Sequence, residues 1–269
     1  MSPAYLTAKP DDVDSENYTT SDSLVVSPLR SEKTSFWVIR HKDVTSTRMT
    51  QYQLQVGALV VPQVGGNLTI NGRDSKIHLT DYDMAGVNLI YTTAEPYTWT
   101  NHRGRRKLIL YSGLHETHEF AVASTIPAPE WENNAPVTGK ELNGSHVIQW
   151  KVGPERTIIR FGDELEVYLV SRHDAYTYWS VDLPAPVSLR KYWSPSRTSG
   201  RSEGTVVVKG AYLMRSASIV GHTLHLKGDL NTTSSLEIIS APALINSVTF
   251  NDEQVRVNII TLGYIGGIG

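Results

Sequence analysis

Along this chain the apolar residues come in short runs rich in Val, Ile, Thr and Tyr, separated by glycine, asparagine and proline. That pattern predicts antiparallel strands joined by tight turns. The stretch from Pro62 to Trp99 shows it most clearly, with Gly65-Gly66, Asn71-Gly72 and Ala85-Gly86 as punctuation. Asn71-Gly72 suits a two-residue hairpin, since both positions tolerate positive φ. Across such a hairpin Leu68, Ile70, Ile77 and Leu79 would share one face and polar partners the other.

The same reading gives strands around Leu24–Val26, Phe36–Ile39, Tyr52–Val56, Leu108–Tyr111, Phe120–Ala123, Val147–Trp150, Thr157–Phe161 and Leu165–Val170. Residues 1–23 are polar and read as an extended lead-in. Pro184, Pro186 and Pro195, set among serines and Gly200, mark a linker over 184–203. Beyond it Gly204–Val208, Ala211–Leu213, Thr223–Leu226 and Ser235–Ile239 form a second set of strands. No stretch of useful length carries a helical period, and no internal repeat is present. The prediction is an all-β chain: an antiparallel β-sandwich over 24–183, then a smaller sandwich over 204–269.

Several stretches also resemble a known family. NGRDSKIHLTDYD (71–83), NLIYTTAEPYTW (88–99), LILYSG (108–113) and HEFAVAS (118–124) are similar to the second domain of fungal β-galactosidases of glycoside hydrolase family 35. Arg172-His173-Asp174-Ala175-Tyr176-Thr177-Tyr178-Trp179 resembles the Arg-Asn-Ser-Ala-Tyr-Asn-Tyr-Trp segment that closes that domain. The part after the linker resembles the family's small third domain. That likeness fades after about Phe250, and the tail 259–269 does not look like the family's continuation, so the second sandwich is expected to be truncated. In the family, hydrolysis belongs to two glutamates on a (β/α)₈ barrel, which retaining chemistry needs ~5–5.5 Å apart. Nothing in this sequence matches the barrel's motifs. The resemblance therefore implies fold and ancestry without glycosidase chemistry.

Composition narrows the partners. At 269 residues, 40% apolar and 19% charged, the chain has the balance of a globular protein with real cores. Lys and Arg number 25 against 27 Asp and Glu, and a net charge of −2 gives no electrostatic case for nucleic acid. No apolar run approaches the ~20 residues of a membrane helix. With no cysteine there is no disulfide, thiolate nucleophile or cysteine metal site. Met1–Leu6 lacks the basic and apolar regions of a secretory signal, which predicts a cytoplasmic protein, or a secreted one if the chain comes from a longer precursor. Asn17, Asn67, Asn143 and Asn231 each open an Asn-X-Ser/Thr triplet that a secreted protein could glycosylate.

Candidate chemistry is sparse. His115-Glu116-Thr117-His118-Glu119 looks metal-like, but on a strand Glu116 and His118 point away from Glu119, so no metal site is expected. No catalytic set can be assigned, and no cofactor is implied. The basic run Asn101–Lys107 reads as a solvated hairpin tip. Arg73-Asp74-Ser75-Lys76 could hold a polar ligand, although its Arg and Asp read better as satisfying turn backbone groups and each other, and His41 follows an apolar strand. Trp37, Tyr97, Trp99, Tyr176, Tyr178 and Trp179 could line a pocket or sugar platform, although most aromatics in a sandwich are core. A ligand is expected beside the 176–179 aromatics, with His41, Arg73 and Asp74 supplying polar groups. Surface uncovered by loss of a barrel would be hidden by self-association, the tail or a ligand.

Three functions stay open. The chain is an inert or carbohydrate-binding piece of a secreted β-galactosidase, a small-molecule binder, or a cofactor-free cyclase of fungal secondary metabolism. The last class includes cycloaddition, where holding two reacting ends together contributes ~7–11 kcal/mol in the best cases.

Overall fold

The computed structural model describes residues 5, 7–10, 18–132, 134–184, 203–231, 235–242 and 245–259. It divides into two compact units. The first comprises 1–97 and 109–172, the second 98–108 and 173–269.

An eight-stranded antiparallel sheet forms the centre of the first unit. Its order is Lys9–Pro10, Leu24–Arg30, Ser35–His41, Ser75–Asp83, Asn88–Thr92, Thr117–Ala123, Ser145–Lys151 and Val137–Leu142. The lead-in thus contributes the edge strand Lys9–Pro10, paired with Leu29 and Arg30. Alternation aims Val26, Trp37, Ile39, Ala121 and Val147 at one face. There they pack with Tyr52, Leu54, Val61, Leu68 and Ile70 from two short strand pairs. Phe120 points to the other face and meets Phe161 edge-on, with ring centroids 6.3 Å apart. Phe161 belongs to a five-stranded sheet ordered Glu95–His102, Arg105–Ser112, Leu165–Ser171, Thr157–Phe161 and Pro129–Glu130. The central sheet is therefore buried on both faces, which is why Thr117–Ala123 has five consecutive buried residues.

The Asn71-Gly72 turn differs from its expected form. Leu68–Ile70 pairs with Thr50–Tyr52, whereas Ser75–Asp83 pairs with Ser35–His41 and Asn88–Thr92. Asn71–Asp74 is a turn between two sheets, closed by the Asp74 amide donating to the Asn71 carbonyl at 3.2 Å, with Arg73 at φ 61°. Lys76, His78 and Thr80 are buried as well as Leu79, while Ile77 is half-buried. Ala85-Gly86 does make the expected tight hairpin, both residues at positive φ.

The second unit has two four-stranded sheets. One runs Tyr178–Asp182, Thr205–Lys209, Leu236–Ser240, Val257–Ile259; the other runs Leu213–Val220, Thr223–Asp229, Ser247–Phe250, Glu253–Gln254. Val206, Val208, Leu224, Leu226, Ile238 and Val248 build its core. Each sheet includes one parallel pair, so this unit departs from a purely antiparallel plan. Tyr178–Asp182 pairs with Thr205–Lys209 and so belongs here, although the sequence reading carried the first sandwich to 183. The hairpin tip is also not simply solvated. Lys107 is buried and donates to the Ile239 carbonyl at 2.7 Å, and His102 Nε2 lies 3.1 Å from the Thr205 carbonyl. Of the linker expected over 184–203, residues 185–202 lie outside the described residues, as do 260–269 of the tail.

Candidate functional site

Lys76 is the most unusual residue in the first unit: an ammonium with 0% exposure inside a β-sandwich. Strand alternation puts it on the buried face with His78 and Thr80, and a buried cation requires a partner. Glu116 supplies it. Lys76 Nζ contacts Glu116 Oε2, which also accepts from Ser112 Oγ at 2.7 Å and the Gly113 amide at 3.0 Å. Asn71 Nδ2 donates to the other oxygen at 3.1 Å. Burial alone would raise the Glu116 carboxyl. Hydrogen bonds from His118, Lys76 and Ser112, with the Lys76 charge, outweigh it and hold the group well below the ordinary carboxylate range.

His118 completes the cluster, and its geometry decides what the cluster can do. Its Nε2 lies 2.7 Å from Ser112 Oγ and 3.0 Å from Glu116 Oε2, while Nδ1 faces the Thr93 carbonyl at 2.9 Å. A Ser-His-acid triad uses the two imidazole nitrogens for different partners, one for the nucleophile and one for the carboxylate. Here both partners crowd Nε2, and a carbonyl occupies Nδ1. Ser112 is 0% and His118 1% exposed, so no substrate reaches the hydroxyl. The set is an internal polar core. Behind it, the Tyr52 hydroxyl lies 2.7 Å from His78 Nε2, and burial raises the Tyr52 phenol and lowers the His78 imidazole.

Glu119, on the opposite face of the same strand, has a separate task. Its carboxylate accepts from the Gln63 and Val64 amides at 2.5 and 2.8 Å and from the Tyr91 hydroxyl at 2.5 Å, fixing the loop before Leu68–Ile70. His118 and Glu119 therefore diverge as alternation along Thr117–Ala123 requires, with Glu116 in the turn just ahead of that strand. Among the described residues no group of three or more His, Asp or Glu is arranged to hold a metal ion.

The sandwich with this polar core can now be placed by comparison. The description "Beta-galactosidase, domain 2" matches residues 7–178, and "Beta-galactosidase, domain 3" matches 179–265. The chain belongs to the β-galactosidase domain 2 family. It is 41% identical to "Probable beta-galactosidase E" of Aspergillus fumigatus over 95% of this chain and 25% of that protein. "Beta-galactosidase A" of Penicillium sp is 37% identical, over 96% of this chain and 26% of that protein. The chain thus spans about a quarter of the length of these fungal relatives. The domain 3 match runs to 265, past Phe250 and into the tail expected to diverge from the family.

Within this β-galactosidase domain 2 the polar network reaches the surface at Arg172. The guanidinium is 35% exposed and lies 3.1 Å from Asp74 Oδ2 and 3.7 Å from Glu95 Oε2. Burial pushes the Glu95 carboxyl up, against the pull of Arg172 and Lys76. Asp74 Oδ1 also accepts from the Ser75 amide at 3.0 Å, so Asp74 pairs with Arg172 and its own turn. Arg73 is exposed. Arg40 pairs with Ser75, which puts His41 and Asp74 at the same ends of neighbouring strands. His41 is buried, with Nε2 3.1 Å from Thr50 Oγ1 and Nδ1 without a hydrogen-bond partner among the described residues.

The aromatic candidates are placed differently. Tyr178 is buried in the second unit with Lys209 Nζ 5.2 Å from its ring centroid. Trp179 packs against that unit's core and donates to the Ala211 carbonyl at 2.9 Å. Tyr176 is 77% exposed, while Tyr97 and Trp99 are half-buried. The structure thus brings His41, Arg73 and Asp74 to one edge of the first unit and gives Tyr178 and Trp179 structural work in the second. Sequence reasoning missed Glu95, Ser112 and Arg172, and placed Lys76 only in the Arg73–Lys76 turn segment, not in a buried pair. The period-two row Lys76, His78, Thr80 was the available signal, since three polar residues on the face opposite Leu79 require either solvent or a buried network.

Proposed function

We propose that this chain binds a small molecule at the Arg172–Asp74–Glu95 edge of its first unit and promotes the molecule's cyclisation by holding it there. The carrying observation is one partly exposed guanidinium set between two carboxyls, one of which burial pushes above its usual range. Cycloaddition makes its new bonds from the π electrons of the ligand and releases nothing, so a site contributes chiefly position and a hydrogen bond to a carbonyl oxygen. Arg172 would supply that bond, and Asp74 and Glu95 would hold it in place.

Saturation-transfer NMR tests this with a panel of self-cyclising aromatic enones, with galactose and lactose as competitors. The expected result is transfer to an enone, faster ring closure than in buffer, and loss of both in Arg172→Met and Glu95→Gln. Binding of sugars alone, or enone binding that survives both changes, overturns it. The sugar arm also addresses the alternative of a carbohydrate-binding or structural module, which the names of the β-galactosidase relatives favour.

A further inference from the structure

The chain contains Asn-Gly twice, at Asn71-Gly72 and at Asn143-Gly144; both asparagines are exposed, but only the Asn71 side chain is tethered. Asn-Gly is the dipeptide in which asparagine cyclises most readily, because glycine has no side chain to obstruct attack by its own amide. Asn143-Gly144 is the two-residue turn between Val137–Leu142 and Ser145–Lys151, with φ of 50° and 74°. Asn143 is exposed, a Cβ on Gly144 would meet only Ser124 Oγ at 3.9 Å, and no hydrogen bond holds the Asn143 side chain among the described residues. Asn71 is tethered instead. Its Nδ2 donates to Glu116 Oε1 at 3.1 Å, and its carbonyl accepts from the Asp74 amide at 3.2 Å. The backbone of Thr47 lies so close to Gly72 that an added Cβ would come within 2.2 Å of it.

We propose that Asn143 is the site of spontaneous deamidation in the folded protein, while the fold protects Asn71 because its amide serves the Lys76–Glu116 core. In the reaction the Gly144 amide nitrogen attacks Asn143 Cγ, the side-chain nitrogen leaves as ammonia, and a succinimide closes. Water then opens the ring to aspartate or isoaspartate, with no oxidant or cofactor. At Asn71 the same attack requires the side chain to leave Glu116 and Gly72 to move against Thr47. At Asn143 it requires neither. The consequences also differ. A carboxylate at position 143 enters solvent, whereas one at position 71 faces Glu116 Oε1, loses a donor and adds like charge to a closed cluster.

Peptide mapping by mass spectrometry after incubation of the native protein in mildly alkaline buffer tests this. A gain of about one dalton, with an isoaspartate signature, is expected at Asn143 and is about tenfold slower or more at Asn71, as expected when a hydrogen bond to a charged group must break first. In concentrated urea, where both tethers are gone, the two rates should converge. Asn143→Asp should leave the melting temperature unchanged and Asn71→Asp should lower it. Equal rates at the two sites in the folded protein, no conversion at Asn143, or an Asn71→Asp variant as stable as wild type would each overturn the proposal.

Discussion

Lys76 shows how one side chain can organise a core. An ammonium withdrawn from water is tolerated because Glu116 neutralises it, while Ser112, Gly113, Asn71 and His118 surround the carboxylate. Removing one partner strands the other charge. Lys76→Met is expected to cost about 3–5 kcal/mol in urea unfolding, as breaking buried pairs does. The double change Lys76→Met with Glu116→Leu should recover only part of this, because the Asn71, Ser112 and Gly113 donors lose their acceptor. Full additivity in a double-mutant cycle would show that the two residues act separately. Little of this was visible in the sequence. Strand alternation separates His118 from Glu119 correctly, but Glu116 lies in the turn ahead of the strand, and alternation cannot say that it meets a lysine forty positions earlier. Long-range pairing is a property of the sheet order, and no local period encodes it.

At the scale of elements, the strands were legible and their partners less so. Ser75–Asp83 and Asn88–Thr92 were readable from Ala85-Gly86, since a two-residue turn leaves one solution. Leu68–Ile70 was assigned the wrong neighbour because Asn71-Gly72 fits a hairpin as well as the wider turn it makes. Gly210 is a case where backbone demand is explicit: at φ 111°, an added Cβ would sit 2.0 Å from the Ser235 carbonyl oxygen. Gly221, at φ 59°, faces open space. Gly210→Ala should therefore lower the thermal midpoint of the second unit strongly. Gly221→Ala should cost only the ~1–2 kcal/mol of a left-handed residue. The hairpin His102–Arg105 gives a pH test. Burial lowers the His102 imidazole from 6.5 to about 4 in the folded state. Between those values the unfolded chain binds more protons, so stability rises with pH through the window and is lost as pH falls from 6.5 towards 4. Urea midpoints on either side of that window should differ more for wild type than for His102→Asn; equal differences would remove His102 as the cause.

For the molecule as a whole, the question is what carboxylates remain for chemistry once the fold has used its share. Glycoside hydrolysis of either stereochemistry needs two carboxyls facing one glycosidic bond, ~5–5.5 Å apart for retention and ~6.5–9.5 Å for inversion. Glu116 is closed by its donors, and Glu119 is occupied by Gln63, Val64 and Tyr91. Glu166 is held by Arg160 and the Tyr168 hydroxyl at 3.1 Å each. Asp74 and Glu95 are partly open, but both lean on Arg172. A sugar placed between them would have to displace that guanidinium, and its departure would leave two neighbouring carboxylates without a counter-charge. Residues 1–269 are therefore expected to release no chromophore from a chromogenic β-galactoside. Turnover that persists after removal of host β-galactosidase and disappears in Glu95→Gln would contradict this, and would make the Arg172 edge a hydrolytic site instead of a binding one.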